Sequence, residues 1–361
     1  MKGTFFLGAD APCKFEVREM DFADLSPHEV MVRVMSAGIC GTDIHIYHGE
    51  KGSAEVVPPV VLGHEFAGIV EAVGQEVTLV KVGDHVTLDP NMYCGNCRPC
   101  RMGKKQNCEH LFALGVNVNG GFAEYAVAPE SQCYVLDKEV AFDVGAMTEP
   151  LACALHGIDR ANILPGQTVL VIGGGTIGLL MIQLAKLKGA STIILSEPIG
   201  IRRQVGMQMG ADTAIDPIKE NLQAKIKDMI GKEEVDVVIE CVGTPIAAKQ
   251  ALGSVGTGGT VLFFSVPPVD EKVDFPMFDI YKKELTILGS IINPDTHLRA
   301  VSLINSKRLK MEELITHRYD LYHLDEAIHK QMSSESIKVV LHPQEHKMSN
   351  ISAMSGYLSV S

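Results

Sequence analysis

A six-residue turn, Gly173-Gly174-Gly175-Thr176-Ile177-Gly178, joins an apolar run at 168–172 to a segment of helical period at 177–188. The next hundred residues repeat that grammar. Apolar runs at 192–196, 213–215, 235–240, 260–265 and 285–288 alternate with helical patterns at 202–209, 222–230 and 246–252. Near-continuous Val/Ile/Leu strands separated by helices can bury both faces of a sheet only if the strands run parallel. The second half of the chain is therefore expected to be a six-stranded, doubly wound α/β sheet.

In such a sheet the first strand–helix turn binds a dinucleotide. Gly173 allows the tight turn, Gly175 lets a pyrophosphate approach the backbone, and Gly178 permits close helix–strand packing. Thr176 and Ile177 open the helix, whose free N–H groups and positive dipole end face the phosphates. Glu197 ends the next strand, where a carboxylate accepts hydrogen bonds from the adenosine ribose and repels a 2′-phosphate. That favours NAD over NADP. Arg202 and Arg203 come just after and read either as phosphate contacts or as a solvated helix face.

The first 150 residues read differently. Short β-rich runs at 29–35, 56–61, 68–73, 80–88 and 122–127, punctuated by Gly and Pro, suggest a barrel-like β domain. A helix is expected at 151–161 and another at 297–304, with mixed elements to about 341 and a frayed tail at 349–361. At 361 residues the chain exceeds the roughly 250–300 at which single cores stop growing, so two domains are expected. The formal charge of −12 argues against nucleic acid or anionic membrane as a partner. No apolar run reaches the roughly 18–20 residues of a membrane span, and Met1-Lys2-Gly3-Thr4 has no secretory character; a cytoplasmic location is expected.

Two further constellations carry chemistry. Cys94, Cys97, Cys100 and Cys108 form a C-x2-C-x2-C-x7-C quartet in a Gly/Pro/Asn-rich loop, a spacing at which four thiolates close a structural zinc site. Cys40, His64 and Glu65 supply a thiol, an imidazole and a carboxylate, the donor types of a catalytic zinc with one exchangeable position. The remaining cysteines, Cys13, Cys133, Cys153 and Cys241, read as buried free thiols of a reducing compartment.

Taken together, Gly38-Ile-Cys-Gly-Thr-Asp, Gly63-His-Glu, the quartet, Gly120-Gly-Phe-Ala-Glu-Tyr, Thr148-Glu-Pro-Leu and the glycine turn resemble the zinc-dependent medium-chain alcohol dehydrogenases, nearest the sorbitol (polyol) dehydrogenase-like branch. The resemblance spans about residues 3 to 341. It implies a GroES-like β-barrel catalytic domain at 1–154 and 292–348, with a Rossmann domain for NAD at 155–291. It implies two zinc ions per chain and a homodimer or homotetramer. Cys40 and His64 match ligands of the catalytic zinc. Glu149 matches an acidic third ligand, and Glu65 a carboxylate that enters and leaves the metal shell. Asp43 matches a carboxylate orienting the zinc histidine, with an Asx-type turn as its alternative. Thr42 and His45 match a proton relay, His45 being otherwise an exposed loop residue.

The implied reaction is hydride transfer between a secondary alcohol of a small polyol, phosphorylated or not, and NAD. A vicinal diol such as butanediol, or threonine, is the alternative substrate. A non-catalytic zinc-stabilised nucleotide binder, or a zinc-free quinone reductase, is opposed by the intact Cys40, His64 and Glu149. The chain departs from the animal polyol enzymes at Ile46, where they carry a substrate tyrosine (Tyr47 is one place on), and at Ile292-Asn293, where they carry Arg-Tyr. Ser290-Ile-Ile-Asn-Pro instead resembles bacterial sugar-alcohol and sugar-alcohol-phosphate dehydrogenases. Lys282 and Lys283 read either as contacts for a phosphorylated substrate or as a solvated basic pair.

Overall fold

Alternating burial organises the first half of the protein. In the strand Glu29–Gly38, Val30, Val32 and Val34 are fully buried while their neighbours are half-buried, the period-two signature of a strand with one face on a core. A computed structural model describes residues 1–21, 24–50 and 56–345, and they divide into two compact units. One runs from Met1 to Ala152 and resumes at Asn293; the other is Cys153–Ile292. The expected tail at 349–361 lies outside the described residues.

The first unit is built on a seven-stranded sheet. Its order is Cys133–Leu136, His85–Leu88, Glu65–Val73, Glu29–Gly38, Lys338–Leu341, Ile315–Tyr319, with Tyr125–Pro129 also pairing onto Glu29–Gly38. A smaller sheet joins Phe15–Glu19, Lys2–Phe6 and Val60–Val61. Phe66, Phe122, Leu62 and Leu88 sit in the core between these elements. Two features of register position the site. Glu65 pairs across from Gly38, and Lys338–Leu341 runs antiparallel to the end of that same strand, with Val340 opposite Gly38. Glu65 and Lys338, 273 residues apart in the sequence, thereby meet close to Cys40.

The second unit is the parallel sheet the sequence leads one to expect. Its order is Thr213–Ile215, Thr192–Ser196, Thr168–Ile172, Val235–Glu240, Val255–Phe263, Thr286–Gly289, with every neighbouring pair parallel. In order of appearance this is 3-2-1-4-5-6, so the direction of winding reverses beside the first strand.

Some expectations need adjusting. The run at 80–88 forms a strand only over His85–Leu88, because the Gly83-Asp84 turn consumes its first half. The run at 56–61 is a strand only at Val60–Val61; Pro58-Pro59 cannot donate to a ladder. Strands Lys2–Phe6 and Phe15–Glu19 and helices Met277–Lys283 and Leu324–Met332 are elements not singled out from the sequence. The nine cysteines are all free thiols, but of the four expected to be buried only Cys133 is; Cys153 and Cys241 are half-buried and Cys13 is exposed, its Sγ donating to the Phe15 carbonyl at 2.7 Å.

Candidate active site

Helix Gly41–Tyr47 begins directly after Cys40. Asp43, in its first turn, accepts the Cys40 backbone N–H on Oδ2 at 2.8 Å, which fixes the thiol at the helix entry. Strand Glu65–Val73 delivers His64 and Glu65 from the facing side. The ring of Phe122 packs over Gly63 so closely that a Cβ there would lie 2.4 Å from it, and this holds the turn into His64. As a result, ligand atoms of Cys40, His64 and Glu65 all lie within 4.8 Å of one another.

Around this trio the charge is mostly negative. The second Asp43 oxygen, Oδ1, stands 3.7 Å from His64 Nδ1, and both atoms are buried without a hydrogen-bond partner. Burial pushes the His64 pKa down, but Asp43 and Cys40 outweigh it and hold the imidazole well above its usual range. Burial raises the Asp43 carboxyl despite the neighbouring imidazole. Glu149, buried in the first turn of helix Thr148–Ala161, adds its charge to His64 but stands outside the trio. A pocket of thiol, imidazole and carboxylates that draws positive charge to a buried nitrogen suits a divalent cation. Asp43 thus caps the helix through Oδ2 and turns Oδ1 toward the histidine. Thr42 Oγ1 lies 3.8 Å from Cys40 Sγ. His45 is not on an exposed loop: it is half-buried in the helix, with Nδ1 bonded to the carboxylate of Glu50.

Lys338 is the residue that sequence reasoning missed. Its ammonium is buried, contacts Glu65 Oε2 and donates to the Ile39 carbonyl at 2.9 Å. A Cβ on Gly38 would meet Glu65 Oε2 at 2.3 Å and Lys338 Cε at 2.8 Å, so the ion pair crosses the space a side chain would fill. A lone lysine inside Ile337-Lys338-Val339-Val340-Leu341 was the available signal. An ammonium in an apolar run must find an anion or a carbonyl.

The quartet converges as its spacing predicts. Cys94, Cys97, Cys100 and Cys108 offer sulfurs within 4.8 Å of one another. Backbone N–H groups of Cys94 and His110 point at Cys108 Sγ and that of Cys97 at Cys94 Sγ, each at 3.4 Å. Burial and the adjacent sulfurs push the Cys100 thiol up to about 12. Four crowded sulfurs, with N–H donors suited to thiolates on Cys94 and Cys108, fit a tetrahedral dication.

In the second unit Gly173 adopts φ +97°, and a Cβ on Gly178 would lie 1.8 Å from the Gly173 carbonyl oxygen. A Cβ on Gly175 would meet no protein atom, leaving that side of the turn open to a ligand. Helix Thr176–Leu187 starts there. Glu197 reaches the same turn: Oε2 accepts the Gly174 N–H at 2.6 Å and Oε1 the Ile199 N–H at 2.7 Å. Arg202 flanks it, its Cβ 3.4 Å from where a Gly174 side chain would begin. Arg203 is neither a solvated helix residue nor free for phosphate. Nη1 donates to the Glu197 and Pro198 carbonyls at 2.8 and 2.7 Å and pairs with Asp216 at 3.3 Å.

Other departures acquire structural explanations. Tyr47 is buried, its hydroxyl donating to Asp325 at 3.0 Å and its ring under the Lys14 ammonium, so it does not replace the missing substrate tyrosine. Asn293 is fully buried and bonded to Asn91 (2.6 Å) and Asp89 (3.2 Å), an internal brace. Lys283 is held by Glu234 at 2.6 Å and the Val255 carbonyl at 3.2 Å, so it is not a solvated lysine. Lys282 lies 6.0 Å from the Phe278 ring centre.

Known proteins resemble this chain in sequence and fold. Residues 26–138 match the alcohol dehydrogenase GroES-like domain family, and residues 176–306 match the zinc-binding dehydrogenase family. An L-threonine 3-dehydrogenase of Caldanaerobacter subterraneus is 33% identical over 332 residues, covering 91% of this chain and 95% of that protein. A sorbitol dehydrogenase of Halalkalibacterium halodurans is 36% identical over 336 residues, covering 91% and 96%. A crystal structure described as a zinc-binding dehydrogenase from Sinorhizobium meliloti 1021 bound to NADP superposes with a TM-score of 0.89 at 38% identity, over 95% of this chain and all of that one. With both of its units matched and both cysteine constellations in place, the chain belongs to the zinc-dependent medium-chain alcohol dehydrogenases and is an oxidoreductase.

Proposed function

We propose that the enzyme oxidises, reversibly and with NAD, a secondary alcohol flanked by a second polar group, and that a small polyol going to its ketose is the preferred case. The observation that carries this is the meeting of Cys40, His64 and Glu65 within 4.8 Å in a pocket that also holds Glu149. One thiolate among carboxylates makes a hard, exchangeable shell, suited to a substrate with neighbouring oxygens. The sorbitol and threonine dehydrogenases that resemble this chain are named for compounds in which the alcohol has a polar neighbour: a hydroxyl in sorbitol, an amine in threonine.

In this reading Cys40 and His64 hold the catalytic zinc, with Glu65 and Glu149 as its carboxylates, and the quartet holds the structural zinc. When bound, zinc supplies a Lewis acid that favours the alkoxide form of the substrate, and NAD supplies the hydride acceptor. Asp43 fixes the imidazole orientation of His64. Thr42 takes the proton leaving the substrate hydroxyl and His45, braced by Glu50, passes it outward. Gly173, Gly175, Gly178, Thr176 and Ile177 receive the pyrophosphate, Glu197 binds the adenosine ribose, and Arg202 covers it. We place the enzyme in the cytoplasm, a reading supported by nine unpaired cysteines. Met277, Phe278 and Tyr281 are strongly exposed, which supports a homodimer or homotetramer. No described helix is long and apolar enough to cross a membrane.

Threonine is the second reading, favoured by the similarity to the Caldanaerobacter threonine dehydrogenase. Steady-state kinetics on polyols, their phosphates, butanediol and threonine decide between them. The polyol reading expects the highest kcat/KM on a polyol. Turnover of threonine alone overturns it.

A further inference from the structure

Glu65 faces two ways. Its carboxylate belongs to the trio with Cys40 and His64, yet its Oε2 is bonded to the ammonium of Lys338, which arrives on the final strand of the same unit. Lys338 has almost no exposure to solvent, 2% of its surface, and its ammonium also donates to the carbonyl of Ile39, the residue preceding Cys40. Gly38 leaves open the space in which the pair sits. A buried ion pair is a poor stability device, because desolvation offsets most of its Coulombic gain. Its position suggests another use.

We infer that Lys338 is a positioning residue that competes with the catalytic metal for Glu65, so that this carboxylate can leave the shell when substrate enters. The inference rests on the assignment of the catalytic zinc to Cys40 and His64. With zinc bound, a Glu65 carboxylate already paired with the Lys338 ammonium would be a weaker and more readily displaced ligand than an unpaired one. Without the ammonium, Glu65 would become a committed anionic ligand, and the substrate oxygen would have to displace it. With a guanidinium, whose planar fork can hold both carboxylate oxygens, Glu65 would be drawn away from the metal. The two substitutions should therefore move the site in opposite directions.

The test measures zinc release from holoenzyme to a chromogenic chelator, after zinc content has been determined. The phase missing in Cys40→Ser identifies the catalytic ion. Lys338→Met should slow that phase roughly tenfold, and Lys338→Arg should hasten it by a similar factor, the range in which groups behind the ligands act. In Lys338→Met the KM for alcohol should rise while that for NAD stays fixed. Simple structural damage would hasten release in both variants and raise neither KM selectively. If Lys338→Met does not fold, Lys338→Gln takes its place with the same expected slowing, since it removes the charge while keeping a donor for the Ile39 carbonyl. Release in Lys338→Arg matching the wild type, or faster release in Lys338→Met, overturns the inference. Wild-type protein carrying one zinc instead of two would instead overturn the site assignment on which it rests.

Discussion

Replacing Glu197 by alanine should change which nicotinamide cofactor the enzyme prefers. A carboxylate offers about four acceptor positions and no donor. Two are taken by the Gly174 and Ile199 N–H groups at 2.6 and 2.7 Å. On the proposed reading the other two serve the adenosine 2′- and 3′-hydroxyls, and the two internal bonds hold the side chain at the glycine turn. Hydrogen bonds to a charged group contribute about 1.5–3 kcal/mol each. Losing a pair costs about 3 kcal/mol or more, roughly a hundredfold in NAD affinity at about 1.4 kcal/mol per decade. NADP, which keeps only the 3′-hydroxyl, loses at most one such contact and is relieved of repulsion between the carboxylate and its 2′-phosphate. Titration of both cofactors by isothermal titration calorimetry, with Glu197→Gln as the variant that keeps the side-chain length, should show the NAD/NADP affinity ratio falling by about two decades. An unchanged ratio, with both cofactors weakened alike, would mean that Glu197 merely shapes the glycine turn and does not read the ribose.

Two other expectations can be checked directly. Elemental analysis should find about two zinc per chain, and Cys40→Ser should lose one of them together with activity while remaining folded; turnover surviving that loss would contradict the ligand assignment. Asp143 ties three segments together, bonding Ser36, Arg318 and His342 at 2.7 Å each. Although burial opposes ionisation, His342 and the other partners hold Asp143 down to about 2, and Asp143 in turn overcomes the burial of His342 to raise its imidazole. The depressed carboxyl gives stability that is present above about pH 4 and lost as pH falls through about 2. The raised histidine gives stability that is complete below about pH 6.5 and lost as pH climbs through its higher folded value. Asp143→Asn should therefore cost about 2 kcal/mol near pH 5–6, and its thermal midpoint should converge toward the wild type at alkaline pH. A deficit constant from about pH 5 to about pH 9 would remove His342 from the clamp.

The parallel sheet was legible because most of its strands carry a local pattern that no partner has to complete; the strand expected at 260–265 instead runs Val255–Phe263, its Gly-rich first half giving no apolar signal. Thr168–Ile172, Thr192–Ser196, Thr213–Ile215, Leu222–Ile230 and Val235–Glu240 begin and end where periodicity places them. The first unit was less legible. Lys2–Phe6 and Phe15–Glu19 have no strict alternation and form strands because each supplies the other's hydrogen bonds. Helix Leu324–Met332 packs its apolar face on strands of the same unit, so its register depends on them. Within the site, Cys40, His64 and the quartet announce themselves by residue type and spacing. Lys338 and Glu50 are ordinary residues until a neighbour gives them a role.

Residue chemistry along the chain settled which donors exist and which backbone turns are possible: thiols at short intervals, glycines between a strand and a helix, an imidazole beside a carboxylate. Those are local properties, dictated by covalent spacing and by the absence of a Cβ. Tertiary structure alone decided that the last strand lays Lys338 over Gly38 and onto Glu65, that Arg203 is spent on Asp216 and two carbonyls, and that Tyr47 belongs to the core. Each depends on contacts between segments far apart in the chain, and only the register of the assembled strands and helices fixes which charge meets which.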